Sequence, residues 1–300
     1  MPKIELERII GAMQGRYAVR KLSWNELAAR YKLQVKGQRL KALMNEMGYY
    51  KCKACQRAWI DDRQAKTRKA FATEHLNWPE WKIRLIYFSD EVHFQKASRK
   101  AEWIVRNRQE RFSGDCIQKK LKLGSAELHC WGMIAYGYKG PLIFYGERKG
   151  EKGQMTMEVY RDKILPLIVE RRDELRKQGL EMIYQEDNDG SHGTRSQENI
   201  ALLYKVENDL NFITDWPPRS PDLNAIESVW RIIKQRVKLQ ATLTVAALRA
   251  AILKEWDALT IDEINACILG TRDKGSKLQD YHWRNRLQAV INMNGLATKY

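Results

Sequence analysis

The chain has 300 residues, of which 53 are Lys or Arg and 37 are Asp or Glu, giving a net charge of +16. This length can build one large core and one small domain, and the positive field suits a polyanion such as nucleic acid. Proteins that bind ribosomes or acidic membranes share that charge. The sequence has no run of about 20 apolar residues, so we expect no membrane span. Its five cysteines, an odd number, argue against a disulfide framework.

Residues 1–50 are predicted to form a small helical domain. Ser23 and Glu26 have the spacing of a capping box, which opens a helix. A short turn and a second, basic helix follow, an arrangement typical of helix-turn-helix DNA-binding domains. The alternative is a plain three-helix bundle with a solvated basic face. The outward basic residues of this predicted DNA-binding domain are Lys36, Arg39 and Lys41.

Residues 51–80 are predicted to form a basic, partly helical linker. Residues 1–80 contain 17 basic and 8 acidic side chains, so they hold more than half of the net charge in about a quarter of the chain. A phosphate backbone is the partner that such a stretch favours. The linker residues predicted to contact DNA are Arg63, Lys66, Arg68 and Lys69.

Residues 81–300 alternate between β-prone and helix-prone segments, which predicts an α/β domain. The predicted strands cover residues 83–90, about 101–106, 127–136, 141–146, 181–186 and 210–214. The predicted helices cover residues 154–172, 196–208, the segment around Glu227, 244–258, 261–269 and 282–293.

Two acidic residues follow predicted strands directly. Asp90 follows the β-prone apolar run Ile83–Phe88, and Asp187 follows the strand at 181–186. Open α/β sheets bind ligands at the carboxyl ends of their strands, so both acids are candidate site residues. The alternative for each is an Asx turn that closes the strand. Glu91 and Asp189 are neighbouring acids, and we prefer Asp90 and Asp187 because each comes first after its strand.

A third acid lies in the segment Trp216–Trp230, which reads W-P-P-R-S-P-D-L-N-A-I-E-S-V-W. Asp222 is placed to cap a helix whose apolar stripe leaves Glu227 to one side. Basic residues share the face of Glu227, so a solvated ion pair is the alternative reading. The stripe consists of Ile226, Val229, Trp230, Ile233 and Val237, and the basic residues, which could contact DNA, include Arg231 and Lys234.

These three blocks together resemble the Tc/mariner-type DDE transposases. The matching segments are Ser89–Glu91, Gln185–Asp189 with His192, and Ser220–Glu227. The Trp131-Gly132 pair and the C-terminal residues, including Gly295 and Tyr300, resemble the same family. The resemblance covers roughly residues 60–300.

The resemblance implies a ribonuclease-H-like catalytic core, a mixed sheet with flanking helices, preceded by the all-α helix-turn-helix domain. It also implies that Asp90, Asp187 and Glu227 bind two Mg²⁺ or Mn²⁺ ions. Such hard cations prefer carboxylate oxygen. A cluster that contains neither His nor Cys therefore favours these ions over zinc.

The activity implied by the resemblance is cut-and-paste DNA transposition. The substrates would be double-stranded terminal inverted repeats and a TA-containing target, and a homodimer would hold two DNA ends, in the nucleus if the host is eukaryotic. The alternative is a catalytically silent, transposase-derived DNA-binding protein or regulator. A different nuclease or integrase on the same fold is a third reading, which the Trp216–Trp230 segment disfavours.

The sequence departs from the family pattern in three respects. Thirty-nine residues separate Asp187 from Glu227, more than in classical members, and Gly190 and Ala225 stand where Pro is usual. Family members carry two helix-turn-helix units, whereas we expect one here and the first to be missing. A single small module buries limited surface, so we expect poor discrimination between the cognate terminal repeat and random DNA.

Overall fold

The computed structural model describes residues 3–13, 19–20, 22–51, 60–95, 127–146, 155–193, 199–240, 242, 244–271 and 281–300. The predicted strand near 101–106 lies outside these residues. The chain divides into two compact units, Met1–Arg57 and Ala58–Tyr300. None of the helices in the described residues combines the length and the apolar character that crossing a bilayer requires.

The first unit is helical, as predicted. It contains α1 (Lys3–Met13), α2 (Trp24–Arg30) and α3 (Gly37–Glu46). The capping box at the start of α2 is present, because the Ser23 side chain accepts from the Glu26 amide and the Glu26 side chain accepts from the Ser23 amide. Apolar residues from all three helices form its core, among them Ile9, Leu27, Leu40 and Met44.

The second unit begins with helices α4 (Asp62–His75) and α5 (Glu80–Arg84). Much of the predicted linker at 51–80 therefore belongs to the second unit, with α4 against the C-terminal helix. Helix α4 packs in the second unit because Phe71, Ala72 and His75 lie on one face of the helix and are buried.

Within the described residues, the sheet has four strands in the order β3-β2-β1-β4. Strands β1, β2 and β3 are antiparallel neighbours, and β4 runs parallel to β1. The turn between β2 and β3 places Gly137 at φ +74°, a conformation that favours glycine. The strands are β1 (Ile86–Gln95), β2 (Glu127–Ala135), β3 (Tyr138–Tyr145) and β4 (Ile183–Gln185).

Helices cover both faces of this sheet. In chain order they are α6 (Met157–Val159), which continues through a π-helical turn at Tyr160–Ile164 into α7 (Leu165–Lys177), then α8 (Ile200–Glu207), α9 (Ile226–Lys238), α10 (Val245–Asp257), α11 (Ile261–Leu269) and α12 (Trp283–Asn292). The predicted strand at 210–214 is reduced to one bridge between Phe212 and Tyr184.

Two hydrophobic clusters sandwich the sheet. Alternate residues Phe88 and Val92 point to the cluster of α4 and α9–α12, whereas Tyr87 and Trp131 point to the cluster of α7 and α8. Gly132 faces the first cluster, and a Cβ there would lie 2.7 Å from the Trp230 ring. The predicted mixed sheet with flanking helices is confirmed.

Candidate active site

The parallel pairing of β1 with β4 brings two of the predicted acids side by side. The last parallel partners are Phe88 and Gln185. Asp90 and Asp187 each lie two residues further along their own chain, so both occupy the edge where β4 ends. The sequence placed Asp90 after its strand, and this is wrong. Strand β1 continues to Gln95 because β2 pairs with it from Phe88 to Gln95, with Asp90 opposite Gly132.

The third acid, Glu227, follows the Pro-rich turn at residues 217–221. Helix α9 begins at Ile226, and Glu227 is in its first turn. The predicted apolar stripe is buried, from Ile226 through Val229 to Val237, which leaves Glu227 half-buried beside the sheet edge. The prediction that Asp222 caps this helix is wrong: Ala225 occupies the cap position, and Asp222 is bound elsewhere.

All three predicted acids line one cavity of about 520 Å³. Of the described residues that line it, none is histidine or cysteine and one, Arg219, is basic, so the charged groups that could bind a metal are carboxylates. These donors fit a hard divalent cation. The lining residues include Gln64, Asp90, Asp187, Asn188, Asp189, Trp216, Pro217, Asn224 and Glu227.

The electrostatics of the cavity are unfavourable to its own carboxylates. Burial, followed by the negative charges of Glu91, Glu227 and Asp187, raises the pKa of Asp90 well above its usual value. Burial also raises the pKa of Glu227, against the opposing charges of Lys234 and other basic residues. The shift of Asp90 thus reflects burial and crowded negative charge, the setting in which a bound cation is stabilising, whereas the shift of Glu227 reflects burial alone.

Asp187 differs from the other two acids because a histidine holds it. His192 Nδ1 lies 2.9 Å from Asp187 Oδ1, and Nε2 lies 3.2 Å from Glu91 Oε1. Burial disfavours the imidazolium, but the charge of Glu91 and the bonds to both acids raise the pKa of His192 well above its usual value. Burial likewise opposes ionisation of Asp187, yet the hydrogen bond and charge of His192 lower its pKa.

The contacts of His192 also distinguish Asp90 from its neighbour Glu91 as the acid that lines the cavity. Among the described residues, two groups of three potential ligands have donor atoms within 4.8 Å of one another, and the predicted triad is not one of them. Glu91, on the opposite side of β1 from Asp90, is bound to His192 rather than directed into the cavity. The geometry therefore favours Asp90 over Glu91 as the cavity acid.

Asn224 positions Asp90. Its side-chain amide donates to the Ser89 carbonyl at 2.9 Å and to Asp90 Oδ2 at 3.4 Å. Its side-chain oxygen accepts from the Ile226 amide at 3.4 Å, so one buried residue connects β1 to the start of α9. Sequence reasoning did not assign this role, although Asn224 lies within the Ser220–Glu227 block that carries the family resemblance.

Asp222 is held at the end of the Pro-rich turn by hydrogen bonds from other segments. The Arg68 guanidinium donates to both Asp222 oxygens, at 3.0 and 2.7 Å, and the Thr298 amide and hydroxyl donate to Oδ2. Arg68 also donates to the Ser220 hydroxyl and the Gly295 carbonyl. Gly295 has φ +83°, and a Cβ there would overlap the Ala65 carbonyl of α4, so glycine allows this close approach.

The predicted DNA-contact residue Arg68 is thus corrected to a structural residue. It is fully buried, because it lies on the same stripe of α4 as Phe71 and His75. The other predicted DNA-contact residues are not fully buried and remain predictions: Lys36, Arg39, Lys41, Arg63, Lys66, Lys69, Arg231 and Lys234.

Comparisons with known proteins agree with this architecture. The Tc1 transposase of Caenorhabditis elegans is 26% identical over 260 residues, covering 86% of this chain and 85% of that protein. The Tcb1 transposase of Caenorhabditis briggsae is 26% identical over 245 residues, covering 79% and 78% respectively. No protein-family model matches the chain. The chain is therefore similar to Tc1-type transposases over most of its length.

Solved structures of Mos1 mariner transposase share the fold. The Mos1 paired end complex with Mn has a TM-score of 0.70 at 12% identity, over 100% of this chain and 80% of that one. The Mos1 catalytic domain alone gives a TM-score of 0.57 at 12% identity, over 82% of this chain and 100% of that one. The predicted fold of the core and the predicted resemblance to Tc/mariner-type transposases are confirmed.

Proposed function

We propose that this protein is a DDE-type DNA transposase that cleaves and rejoins DNA at the ends of its own element. The observation that carries the proposal is the convergence of Asp90, Asp187 and Glu227 on one cavity in a homologue of Tc1. Complexes of Mos1 with transposon ends, a strand transfer complex and complexes with Mg or Mn support this assignment by similarity.

The three acids would hold two Mg²⁺ or Mn²⁺ ions. When bound, such ions activate the attacking oxygen and stabilise the leaving oxygen of a phosphodiester displacement. Asn224 orients Asp90, and His192 holds Asp187 ionised, so both carboxylates are prepared to accept a cation.

The reaction would proceed in two displacements at phosphorus. Water first breaks a phosphodiester bond at the terminal inverted repeat and leaves a free 3′-hydroxyl. That hydroxyl then attacks a phosphodiester of TA-containing target DNA, forming one new bond and releasing one 3′-hydroxyl of the target. A homodimer would bring two ends together, in the nucleus if the host is eukaryotic.

Cleavage of a duplex carrying the element's own terminal repeat, read from the DNA flanking the gene, tests the proposal. We expect cleavage that requires Mg²⁺ or Mn²⁺ and stops on chelation. Asp187→Asn and Glu227→Gln should each lose more than about a hundredfold in rate, since losing a direct ligand exceeds the 10–100-fold cost of losing an outer partner. DNA binding should persist in both variants.

Asp173→Asn is the matched control, because Asp173 is a carboxylate paired with Arg172 and is not part of the cavity lining. Cleavage that survives chelation, or that Asp187→Asn and Asp173→Asn reduce equally, would refute the metal-binding assignment. Specific binding by the wild type without cleavage under any divalent ion would instead favour a catalytically silent, transposase-derived regulator.

The salt dependence of DNA binding tests the helix-turn-helix unit separately. Replacing Lys36, Arg39 or Lys41 by Ala should weaken binding to all sequences alike. The slope of log K against log salt should fall by about 0.9 for each phosphate that is no longer neutralised. Lys177→Ala, an exposed lysine at the end of α7, serves as control. An unchanged slope in all three variants would remove these residues from the DNA interface.

A further inference from the structure

A second cluster of potential metal ligands lies at the outer ends of β1 and β2. His93 and His129 are direct cross-strand partners in the antiparallel ladder. Glu127 is two residues before His129 on the same strand, so its side chain lies on the same face. The cluster is separate from the acid cavity, which Asp90 enters from the opposite face of β1.

The geometry of the cluster is close. His93 Nδ1 and His129 Nδ1 are 2.5 Å apart, and the three residues offer donor atoms that all lie within 4.8 Å of one another. His93 and Glu127 are exposed and His129 is half-buried, with its ring centroid 5.8 Å from that of Tyr145.

We propose that His93, Glu127 and His129 form a binding site for a borderline-soft divalent cation of the Zn²⁺ type. Two imidazole nitrogens and one carboxylate oxygen are ligands that zinc accepts, and three protein ligands leave a position for water. The donor set differs from the oxygen donors of the acid cavity, so the two sites select different metals.

The consequence of metal binding here is mechanical rather than catalytic. An ion shared by His93, Glu127 and His129 would cross-link β1 to β2, the central pair of the sheet on which Asp90 is carried. Because the ligands come from two strands, the bound ion stabilises the paired state of the strands over the separated state. The site does not depend on the chain being a transposase.

Titration of the full chain with Co²⁺, a spectroscopic stand-in for Zn²⁺, tests the site. Excess Mg²⁺ is present throughout, because it competes for carboxylate oxygens and weakly for imidazole. We expect one equivalent of Co²⁺ to bind with visible ligand-field bands of a four- or five-coordinate site, and Zn²⁺ to displace it. His93→Gln and His129→Gln should each weaken Co²⁺ binding at least about tenfold.

Two further variants keep the test independent of folding. Glu127→Gln changes an exposed side chain and leaves both rings in place, and it should also weaken binding. His282→Asn removes an imidazole elsewhere and preserves the cap that His282 provides to α12, so its Co²⁺ binding should equal that of wild type. A Zn²⁺-dependent rise in the unfolding midpoint should appear in wild type and His282→Asn only. Co²⁺ binding that is absent from wild type, or unchanged in His93→Gln and His129→Gln, would overturn the proposal.

Discussion

Two acidic side chains, Asp222 and Asp90, lie on either side of the Pro-rich turn, and the fold treats their charges in opposite ways. Asp222 is buried against the Arg68 guanidinium, which donates to both of its oxygens. Asp90 instead faces the negative charges of Glu91, Glu227 and Asp187. Within the described residues, therefore, a buried arginine pairs with Asp222, whereas no salt bridge to lysine or arginine is formed by Asp90.

The same contrast occurs between neighbours in the chain. Glu186 is buried in an ion pair with Lys205 and accepts from the Tyr160 hydroxyl. Asp187, the next residue, has an exposed carboxylate at the cavity that is bound to His192. The two compensated acids thus lie outside the cavity lining, whereas among the described residues neither Asp90 nor Asp187 forms a salt bridge with lysine or arginine. This difference separates the structural carboxylates from those that we propose to be catalytic.

The largest expected effect comes from breaking the buried ion pair between Arg68 and Asp222. Arg68→Met removes the cation and leaves the Asp222 carboxylate buried and unpaired. Breaking a buried ion pair in this way costs about 3–5 kcal/mol of unfolding free energy. Urea unfolding of the variant and the wild type measures this loss.

Lys69→Ala is the control for that measurement. Lys69 neighbours Arg68 on α4 but is exposed, with one hydrogen bond to Asn294. Its loss should change the unfolding free energy by less than about 0.5 kcal/mol. Equal, small effects of the two substitutions would show that Arg68 is not the counter-ion that the contacts indicate.

A smaller loss of unfolding free energy is expected on replacing Asn224, which connects Asp90 to the start of α9. Asn224→Ala leaves the buried Ser89 carbonyl without its side-chain donor, which costs about 1–3 kcal/mol of unfolding free energy. It also releases Asp90, so Mg²⁺ affinity should fall by about 10–100-fold. Unfolding and Mg²⁺ titration together check this. A stability loss with unchanged Mg²⁺ affinity would contradict the positioning role.

Much of the site could be predicted from the sequence because its signals are local. The Ser220–Glu227 block and the helical stripe behind it predicted both the cavity acid and the buried face of α9, and the stripe is as expected. The hairpin of β2 and β3 was also predictable, since two alternating strands flank a turn at Gly137.

The errors came from contacts between distant segments. Arg68 was predicted to contact DNA because its neighbours are basic, although its spacing from Phe71 and His75 already placed it on the inner stripe of α4. Asp90 was predicted to follow its strand, although Val92 and Phe94 continue the alternation of apolar residues. The pairing of β1 with β2 explains why Asp90 lies within its strand. The contact with Asp222 explains why the Arg68 guanidinium is buried.

The last stability prediction concerns Asp90, whose carboxyl faces other acids rather than a basic partner. The raised pKa of Asp90 means that, without divalent ions, its contribution to stability is present below the usual Asp range and is lost as pH rises through the raised pKa. Asp90→Asn should therefore be more stable than wild type at neutral pH, by about 1.4 kcal/mol for each tenfold weakening of acidity that the fold imposes on Asp90. The difference should shrink as pH falls in metal-free urea unfolding. A variant less stable than wild type at neutral pH would contradict the crowding of charge.

The most direct test of an uncompensated cation site is the dependence of stability on Mg²⁺. We predict that the unfolding free energy of wild type rises with Mg²⁺, by about 2.7 kcal/mol when its concentration reaches a hundred times the Kd. Asp90→Asn should start more stable in metal-free buffer and gain far less on Mg²⁺ addition. A wild type indifferent to Mg²⁺, or an equal gain in Asp90→Asn, would contradict a cation site built on Asp90.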